Sequence, residues 1–150
     1  MLVKEWMSTK VITIDEEMTL PEAAQVMREN KISRLPVVSR QGKLIGIVTD
    51  QDIKAASPSK ATALDIHELY YLLAKIKING IMTKNLICIS PEDTIPKAAA
   101  VMLKRKINGL PVLDSKGDLV GMLTQGDVFR VLTNLTGAYL GGVLMALELR

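Results

Sequence analysis

The stretch "KISRLPVVSRQGKLIGIVTDQDI", Lys31–Ile53, decides the fold of this 150-residue chain, because "KINGLPVLDSKGDLVGMLTQGDV", Lys106–Val128, repeats it without a gap. The match extends toward the N-terminus, where "MSTKVITIDEEMTLPEAAQVM" from Met7 aligns with "MTKNLICISPEDTIPKAAAVM" from Met82. Over this region roughly 20 of about 47 positions are identical at a constant offset, which is the signature of an internal repeat. The chain therefore contains two copies of one structural unit.

Each copy has the pattern of a strand, a helix, two strands and a second helix. In the first copy the β-branched run 11–14 predicts a short strand. Thr19, with Glu22 three residues later, predicts a capped helix that ends near Asn30. The aliphatic runs 35–38 and 44–48 flank "SRQG", whose Gly42 can take a positive φ, so they predict a β-hairpin.

The segment between the copies predicts a further helix, capped by Asp65 with Glu68 at the third position. Its apolar residues fall on one side, and we expect that side to pack on the repeat pair: Ile66, Leu69, Tyr70, Leu73 and Ile76. The expected division is a first repeat over 1–56, a linker with a helix over 57–77, a second repeat over 78–136 and a tail over 137–150 that resembles the start of a further domain.

A unit of two or three strands cannot close a core alone, so we expect the two copies to pack face to face about a pseudo-twofold axis. The predicted fold class is α/β (α+β), with tandem β-α-β-β-α repeats. In the second copy the closing helix carries an apolar stripe of Val128, Phe129, Val131, Leu132 and Leu135.

The composition narrows the function. The net charge is +3, aromatic residues make up 3% of the chain, and basic residues are scattered, so nucleic-acid binding is not indicated. No apolar run approaches the roughly 20 residues of a membrane helix, and the N-terminus lacks the features of a secretory signal, so we expect no membrane span and a cytoplasmic location. Cys88 is expected in the core, and the lone His67 predicts no zinc site. Without a nucleophile and base pair or a Walker-type loop, we expect no enzyme activity.

The most informative motif is Thr-x-x-Asp, present as Thr49/Asp52 and Thr124/Asp127 where a strand meets a helix. One interpretation is a simple helix cap. The other is a ligand site, because a helix N-terminus and a hydroxyl suit a phosphate, while a carboxylate can accept hydrogen bonds from both hydroxyls of a ribose. A metal site is not supported, since "DQD" of the first copy becomes "QGD" in the second.

A second candidate element is the entry to the proline-containing strand, "SRLPV" from Ser33 and "NGLPV" from Asn108. Proline removes an N–H, so carbonyls nearby are expected to lack partners and could read an adenine edge. The candidates there are Leu35, Pro36, Leu110 and Pro111. Arg34 is a candidate phosphate ligand, and Gly109 replaces it in the second copy, so the two sites should be unequal.

Taken together, these residues resemble the CBS domain pair, named for the regulatory part of cystathionine β-synthase. The resemblance rests on the duplicated β-α-β-β-α order, the starts "EWM" and "GIM", the "LPVV" and "LPVL" strands and the two glycine-aliphatic-Thr-x-x-Asp endings. The linker region further resembles acetoin-utilisation-type CBS proteins, in which an ACT domain follows the pair.

The resemblance implies a regulatory module with clefts between the copies that bind adenosine-containing ligands such as AMP, ADP, ATP, S-adenosylmethionine or NAD, with or without Mg²⁺, and no required cofactor. It assigns Asp52 and Asp127 to the ribose hydroxyls, Thr49 and Thr124 to the phosphates, and Arg34 to a phosphate. It also implies a homodimer and an ACT or other effector domain. The alternative is a dimerisation or scaffold module whose clefts are vestigial and unoccupied.

Overall fold

The computed structural model describes residues 1–57 and 65–135, so the predicted tail over 137–150 and most of the loop before the linker helix lie outside the described residues. The chain forms two compact units. Unit 2 is Val11–Leu86, and unit 1 combines Met1–Lys10 with Ile87–Arg150. Each unit therefore pairs most of one repeat with the short segment that begins the other repeat in the sequence.

The described residues of unit 2, 11–57 and 65–86, form a three-stranded sheet and three helices. Its strands are β1 (Ile14–Asp15), β2 (Arg34–Val38) and β3 (Leu44–Thr49), in the order β1-β2-β3, with β1 parallel to β2 and β3 antiparallel to β2. Its helices are α2 (Leu20–Asn30), α3 (Asp50–Ala56) and α4 (Ile66–Leu73), followed by a 3-10 turn at Ile78–Gly80.

Unit 1 repeats this plan. Helix α1 (Val3–Trp6) comes from the N-terminus, and α5 (Ile95–Arg105), β4 (Gly109–Leu113) and β5 (Leu119–Thr124) come from the second repeat. The helix that follows β5 begins at Gln125, and its described part, 125–135, is called α6. Single bridges extend the β4-β5 pair on both sides, from Ile89 to Val112 and from Ser8 to Met122.

The exchanged segments make equivalent contacts in the two units. In unit 2 the Ile47 and Thr83 backbones form a bridge, and in unit 1 Ser8 and Met122 do the same. Val3 is fully buried in the unit 1 core and Ile78 is fully buried in the unit 2 core. Each short segment thus supplies a strand-edge partner and a core residue to its unit.

The local predictions for helix and hairpin are confirmed. Helix α2 begins after Thr19, whose side chain accepts from the Glu22 N–H while Glu22 accepts from the Thr19 N–H. Gly42 has φ of 78° and its counterpart Gly117 has φ of 83°, in the left-handed region that glycine adopts at little cost. The hairpins turn where the sequence places these glycines.

The predicted strand over 11–14 is wrong in its extent, because β1 covers only Ile14–Asp15. The ladder can be followed in unit 1, where the Ile89 N–H donates to the Pro111 carbonyl and the Leu113 N–H donates to the Ile89 carbonyl. The next rung toward the N-terminus would need an N–H that proline lacks. Pro36, the counterpart of Pro111, stops the parallel pairing in the same way.

Helix α4 matches its predicted cap but only partly its predicted packing. The Asp65 side chain accepts from the Glu68 N–H at 2.8 Å. Leu73 and Ile76 pack against the unit 2 core, whereas Ile66 is 78% exposed and Tyr70 is 66% exposed. Only the C-terminal end of the apolar side therefore reaches the core, and the expectation that all five residues pack is wrong.

Candidate functional site

The first Thr-x-x-Asp motif forms the junction between β3 and α3 in unit 2. Thr49 is the N-cap, with extended φ and ψ of −110° and 165°. The Asp52 carboxylate accepts the Thr49 N–H through Oδ2 at 2.9 Å, and the Thr49 hydroxyl accepts the Asp52 N–H at 3.2 Å. Among the described residues, every hydrogen bond to the Asp52 carboxylate uses Oδ2, which leaves Oδ1 available to a further donor.

The second motif forms the same junction between β5 and α6 in unit 1, with more contacts. Asp127 Oδ2 accepts both the Thr124 N–H at 2.8 Å and the Thr124 hydroxyl at 3.0 Å. Its Oδ1 accepts from the Arg130 guanidinium at 2.5 Å. Asp127 is buried, with 9% of its surface exposed. Both carboxylate oxygens of this motif thus have partners within the protein.

Each motif is tied to the start of the proline-containing strand. The Asp50 N–H donates to the Ser33 carbonyl at 3.0 Å in unit 2, and the Gln125 N–H donates to the Asn108 carbonyl at 2.9 Å in unit 1. The Pro111 carbonyl also accepts from the Ile89 N–H. The expectation that carbonyls near these prolines lack partners is therefore wrong for these three groups.

The four predicted strand residues lie inside the protein. The side chains of Leu35, Pro36, Leu110 and Pro111 are each less than 2% exposed. Leu35 belongs to the unit 2 core and Leu110 to the unit 1 core. Their burial is explained by a structural role inside the protein. A role for these residues in ligand binding stays a prediction.

Arg34 lies beside the unit 2 motif. It is the cross-strand partner of Thr49 in the antiparallel β2-β3 pair, and in unit 1 Gly109 is the partner of Thr124. Burial lowers the pKa of the half-buried Arg34 guanidinium, and the charge of nearby Asp50 opposes that shift. The structure therefore brings Thr49, Asp52 and Arg34 to one end of β3, and leaves the second motif without an arginine from its strand.

Arg130 is a residue of the second motif that comparison of the repeats does not single out, because its counterpart in the first copy is Ala55. The signal is local: an acid and a base three residues apart on a predicted helix face each other. Arg130 also approaches the Trp6 carbonyl at 3.5 Å. The two motifs thus differ both on the strand side and on the helix side.

Other reactive groups show no sign of a second site in the described parts of the chain. Over 1–57 and 65–135, no three His, Cys, Asp or Glu residues form a group that could hold a metal ion. Burial raises the pKa of the half-buried Cys88 thiol, which favours its protonated form over the nucleophilic thiolate. Among the helices of these residues, none has the length and apolar character to cross a membrane.

Comparison with known protein families finds the CBS domain in both copies. The sequence model described as "CBS domain" matches residues 3–59 and 78–134. A CBS domain-containing protein of Dictyostelium discoideum is 37% identical over 131 residues, which cover 87% of this chain and 90% of that protein. A homoserine O-acetyltransferase of Methanohalobium evestigatum is 38% identical over 130 residues, covering 87% of this chain but 24% of the enzyme. The similarity to that enzyme is thus confined to a minor part of its length.

Solved structures have the same fold. The CBS domain pair of protein MJ0100, in complex with 5'-methylthioadenosine and S-adenosyl-L-methionine, has a TM-score of 0.74 at 31% identity, covering 89% of this chain and 97% of that one. CBSX2 in complex with AMP has a TM-score of 0.73 at 28% identity, covering 90% and 98%. A putative acetoin utilization protein from Vibrio cholerae has a TM-score of 0.75 at 27% identity, covering 95% and 96%. The predicted tandem-repeat fold and the predicted resemblance are both confirmed.

Proposed function

Because this chain belongs to the CBS domain family, we propose that it is a regulatory module that binds an adenosine-containing ligand and catalyses no reaction itself. The observation that carries the proposal is the ligand content of two similar CBS structures, one with AMP and one with 5'-methylthioadenosine and S-adenosyl-L-methionine. Adenosine is the part common to these three molecules.

The Thr-x-x-Asp motifs supply the groups that such a ligand needs. In unit 2, Asp52 Oδ2 is engaged by the Thr49 N–H, and Oδ1 can accept a ribose hydroxyl. A hydrogen bond to a charged acceptor contributes about 1.5–3 kcal/mol, enough to fix the sugar. In this proposal Asp52 and Asp127 hold ribose, and Thr49 and Thr124 lie near the phosphate.

Arg34 is the candidate phosphate ligand of unit 2. Its planar guanidinium can donate two parallel hydrogen bonds to a phosphate, and its place across from Thr49 puts it at the same end of β3 as Asp52. Gly109 occupies this place in unit 1. We therefore expect AMP, ADP or ATP to depend on Arg34 at the unit 2 motif, with Mg²⁺ required at most for the polyphosphates.

A panel of ligands tests the proposal directly. Thermal unfolding is measured with AMP, ADP, ATP, S-adenosylmethionine and NAD, with CMP as the control that keeps ribose and phosphate but lacks adenine. A ligand at about 100 times its Kd should add about 2.7 kcal/mol to the free energy of unfolding. For a chain of this length, each kcal/mol of added unfolding free energy raises the Tm by about 2–4 °C. No shift with any of the five at millimolar concentration would favour the scaffold alternative.

We also propose that the module is a homodimer, as the scaffold alternative requires. Helix α6 exposes 54% of Phe129, 53% of Leu132 and 53% of Leu135, although Val131 on the same helix is buried. These three side chains cover about one third of the helix circumference at 100° per residue. A second copy is the partner that we expect on this surface, because large apolar side chains gather at obligate subunit contacts.

The regulated activity is expected in another domain or another protein. The Methanohalobium relative is an acetyltransferase whose similarity to this chain is limited to about a quarter of its length. An ACT domain is the effector implied by the resemblance to acetoin-utilisation proteins. A bound ligand can act on such a target only by favouring one of two arrangements of the module over the other.

A further inference from the structure

On the helix side, the two Thr-x-x-Asp motifs differ by one ion pair. In unit 1, Arg130 Nη2 lies 2.5 Å from Asp127 Oδ1, three residues earlier on the same helix. The Asp127 side chain is 12% exposed, whereas the Arg130 side chain is 64% exposed. The guanidinium thus covers the carboxylate from the solvent side.

In the described residues of unit 2, Asp52 has no equivalent of this ion pair. The counterpart of Arg130 is Ala55, and the basic residue nearest in the sequence, Lys54, lies 3.7 Å from Asp50 instead. Asp52 is also more exposed than Asp127, being half-buried instead of buried. Within the described residues, the Asp52 carboxylate is therefore more exposed than that of Asp127 and has no arginine at the position of Arg130.

A ribose hydroxyl that binds Asp127 Oδ1 must displace Arg130 or share that oxygen with it. A hydrogen bond from guanidinium to carboxylate is among the stronger polar contacts in proteins, and a hydroxyl that displaces it gains a weaker one. Because Arg130 is largely exposed, solvent can hydrate it after release, which limits the cost of breaking the pair. Because hydration only partly offsets the loss of the ion pair, an uncharged sugar should bind Asp52 more tightly than Asp127.

We propose that Arg130 is a specificity-determining residue that lowers the affinity of the Thr124/Asp127 motif for ribose, and that its absence at Ala55 makes Thr49/Asp52 the higher-affinity motif. This inference rests on the proposed function. Under this proposal the two motifs bind ligand in sequence: the unit 2 motif is occupied first, and the unit 1 motif is occupied only at a higher ligand concentration. This difference in ribose affinity comes from one side chain, so one substitution can remove it and the reciprocal substitution can transfer it.

Adenosine is the appropriate probe, because it has no phosphate with which a released Arg130 could interact. In an Asp52→Asn background, binding at unit 1 is measured by calorimetry with and without Arg130→Met, which keeps an unbranched side chain and removes the charge. We expect Arg130→Met to tighten adenosine binding about tenfold, or about 1.4 kcal/mol. In an Asp127→Asn background, the reciprocal change Ala55→Arg should weaken adenosine binding at unit 2 by a similar factor.

A second measurement needs no ligand. Labelling of carboxylates by a water-soluble carbodiimide, located by mass spectrometry, should be slower at Asp127 than at Asp52, and Arg130→Met should accelerate it at Asp127 several-fold. Thermal unfolding of each variant confirms that it is folded.

The outcomes separate this inference from the function on which it rests. If adenosine binds but Arg130→Met leaves its affinity unchanged or weakens it, Arg130 does not restrict the motif and the inference is wrong while the proposed function stands. Unchanged Asp127 labelling in Arg130→Met would also contradict the inference. If neither adenosine nor any ligand of the panel binds any variant, the proposed function fails and the inference fails with it.

Discussion

Thr49 and Asp52 are joined by two hydrogen bonds of opposite direction, from the Thr49 N–H to the Asp52 carboxylate at 2.9 Å and from the Asp52 N–H to the Thr49 hydroxyl at 3.2 Å. The pair caps helix α3, and the same pair recurs at Thr124 and Asp127. The cap uses one carboxylate oxygen of Asp52. The cap and the ligand interpretations of the motif are therefore compatible, and a substitution can separate them.

The first prediction separates these two roles at Asp52. Asp52→Ala removes the acceptor for the Thr49 N–H and should cost about 0.5–2 kcal/mol of unfolding free energy, as lost helix caps do. Asp52→Asn keeps an acceptor oxygen and should cost less. Both should lose about 1.5–3 kcal/mol of ligand affinity at unit 2, because the charged acceptor is gone. Urea unfolding and calorimetry measure the two effects, and ligand affinity of Asp52→Asn equal to wild type would reduce Asp52 to a cap.

A second prediction concerns the glycines opposite the exchanged segments. A Cβ on Gly46 would lie 2.5 Å from the Met82 sulfur and 3.2 Å from the Thr83 carbonyl oxygen. A Cβ on Gly121 would lie 2.5 Å from the Met7 sulfur and 3.0 Å from the Ser8 carbonyl oxygen. Overpacking of this kind costs about 1–3 kcal/mol, so Gly46→Ala and Gly121→Ala should both lower the free energy of unfolding.

Gly121→Ala should be the more damaging, because its backbone contact is closer and backbone gives way less easily than a methionine side chain. Gly80→Ala is the matched control: nothing lies within 4 Å of its added Cβ, and the change should stay within about 0.5 kcal/mol. Equal stability of all three variants would mean that the exchanged segments do not pack as described.

The third prediction is a pH dependence at Asp93. The Lys97 ammonium, which is 2.7 Å away, and the Ser90 N–H lower the pKa of the Asp93 carboxyl below its usual value. A lowered pKa in the folded state stabilises the fold above the pKa of the unfolded chain, and this stabilisation disappears as the pH falls through the folded value.

Asp93→Asn should therefore cost up to about 1 kcal/mol at pH 7, the range of exposed ion pairs, and progressively less below pH 4. Urea unfolding of both proteins across this range measures the difference. A difference that is the same at pH 7 and pH 3 would show that the charge of Asp93 does not stabilise the fold.

The fourth prediction tests the homodimer. Phe129→Glu places a charge on the exposed apolar surface of α6 and should convert the dimer to a monomer, because a charge buried in a subunit contact is costly. Leu103→Glu is the control, since Leu103 on α5 is 81% exposed and lies on a different helix. Light scattering after gel filtration gives the mass of each variant. A monomeric wild type, or a dimeric Phe129→Glu, would argue against this surface.

The elements predicted best are those that depend on near neighbours in the sequence. Thr19 with Glu22 determines where α2 begins, and the glycines at 42 and 117 determine where the hairpins turn, because caps and turns are made by residues a few positions apart. The junctions at Thr49 and Thr124 belong to the same class. Duplication strengthened each signal, since both copies carry it.

The features predicted poorly depend on distant partners. The length of β1 follows from a missing N–H at Pro36, which only the pairing reveals. The exposed side of α4 follows from how far the unit 2 core extends along the helix. The exchange of Met1–Lys10 into unit 1 is invisible in a repeat alignment, because either copy of the repeat could in principle accept that segment.

The ligand motifs fall between these cases. The position of Thr49, Asp52, Thr124 and Asp127 at strand-to-helix junctions was predictable from alternation of secondary structure. The ion pair of Asp127 with Arg130 could have been predicted from the sequence, because the two opposite charges are three residues apart on one helix. The repeat alignment does not indicate it, because Ala55 occupies the position of Arg130 in the first copy. A comparison of the repeats identifies the residues that both copies share, whereas the two motifs are unequal because of residues that differ between the copies.

The most direct test of the central claim is a calorimetric titration of AMP into wild-type protein and into the Asp52→Asn/Asp127→Asn double variant, with both shown to be folded by thermal unfolding. If the two motifs hold the ribose of an adenosine-containing ligand, wild-type protein binds AMP and the double variant binds it at least about tenfold more weakly, a loss of about 1.4 kcal/mol or more. Equal AMP affinity in the two proteins would contradict the account.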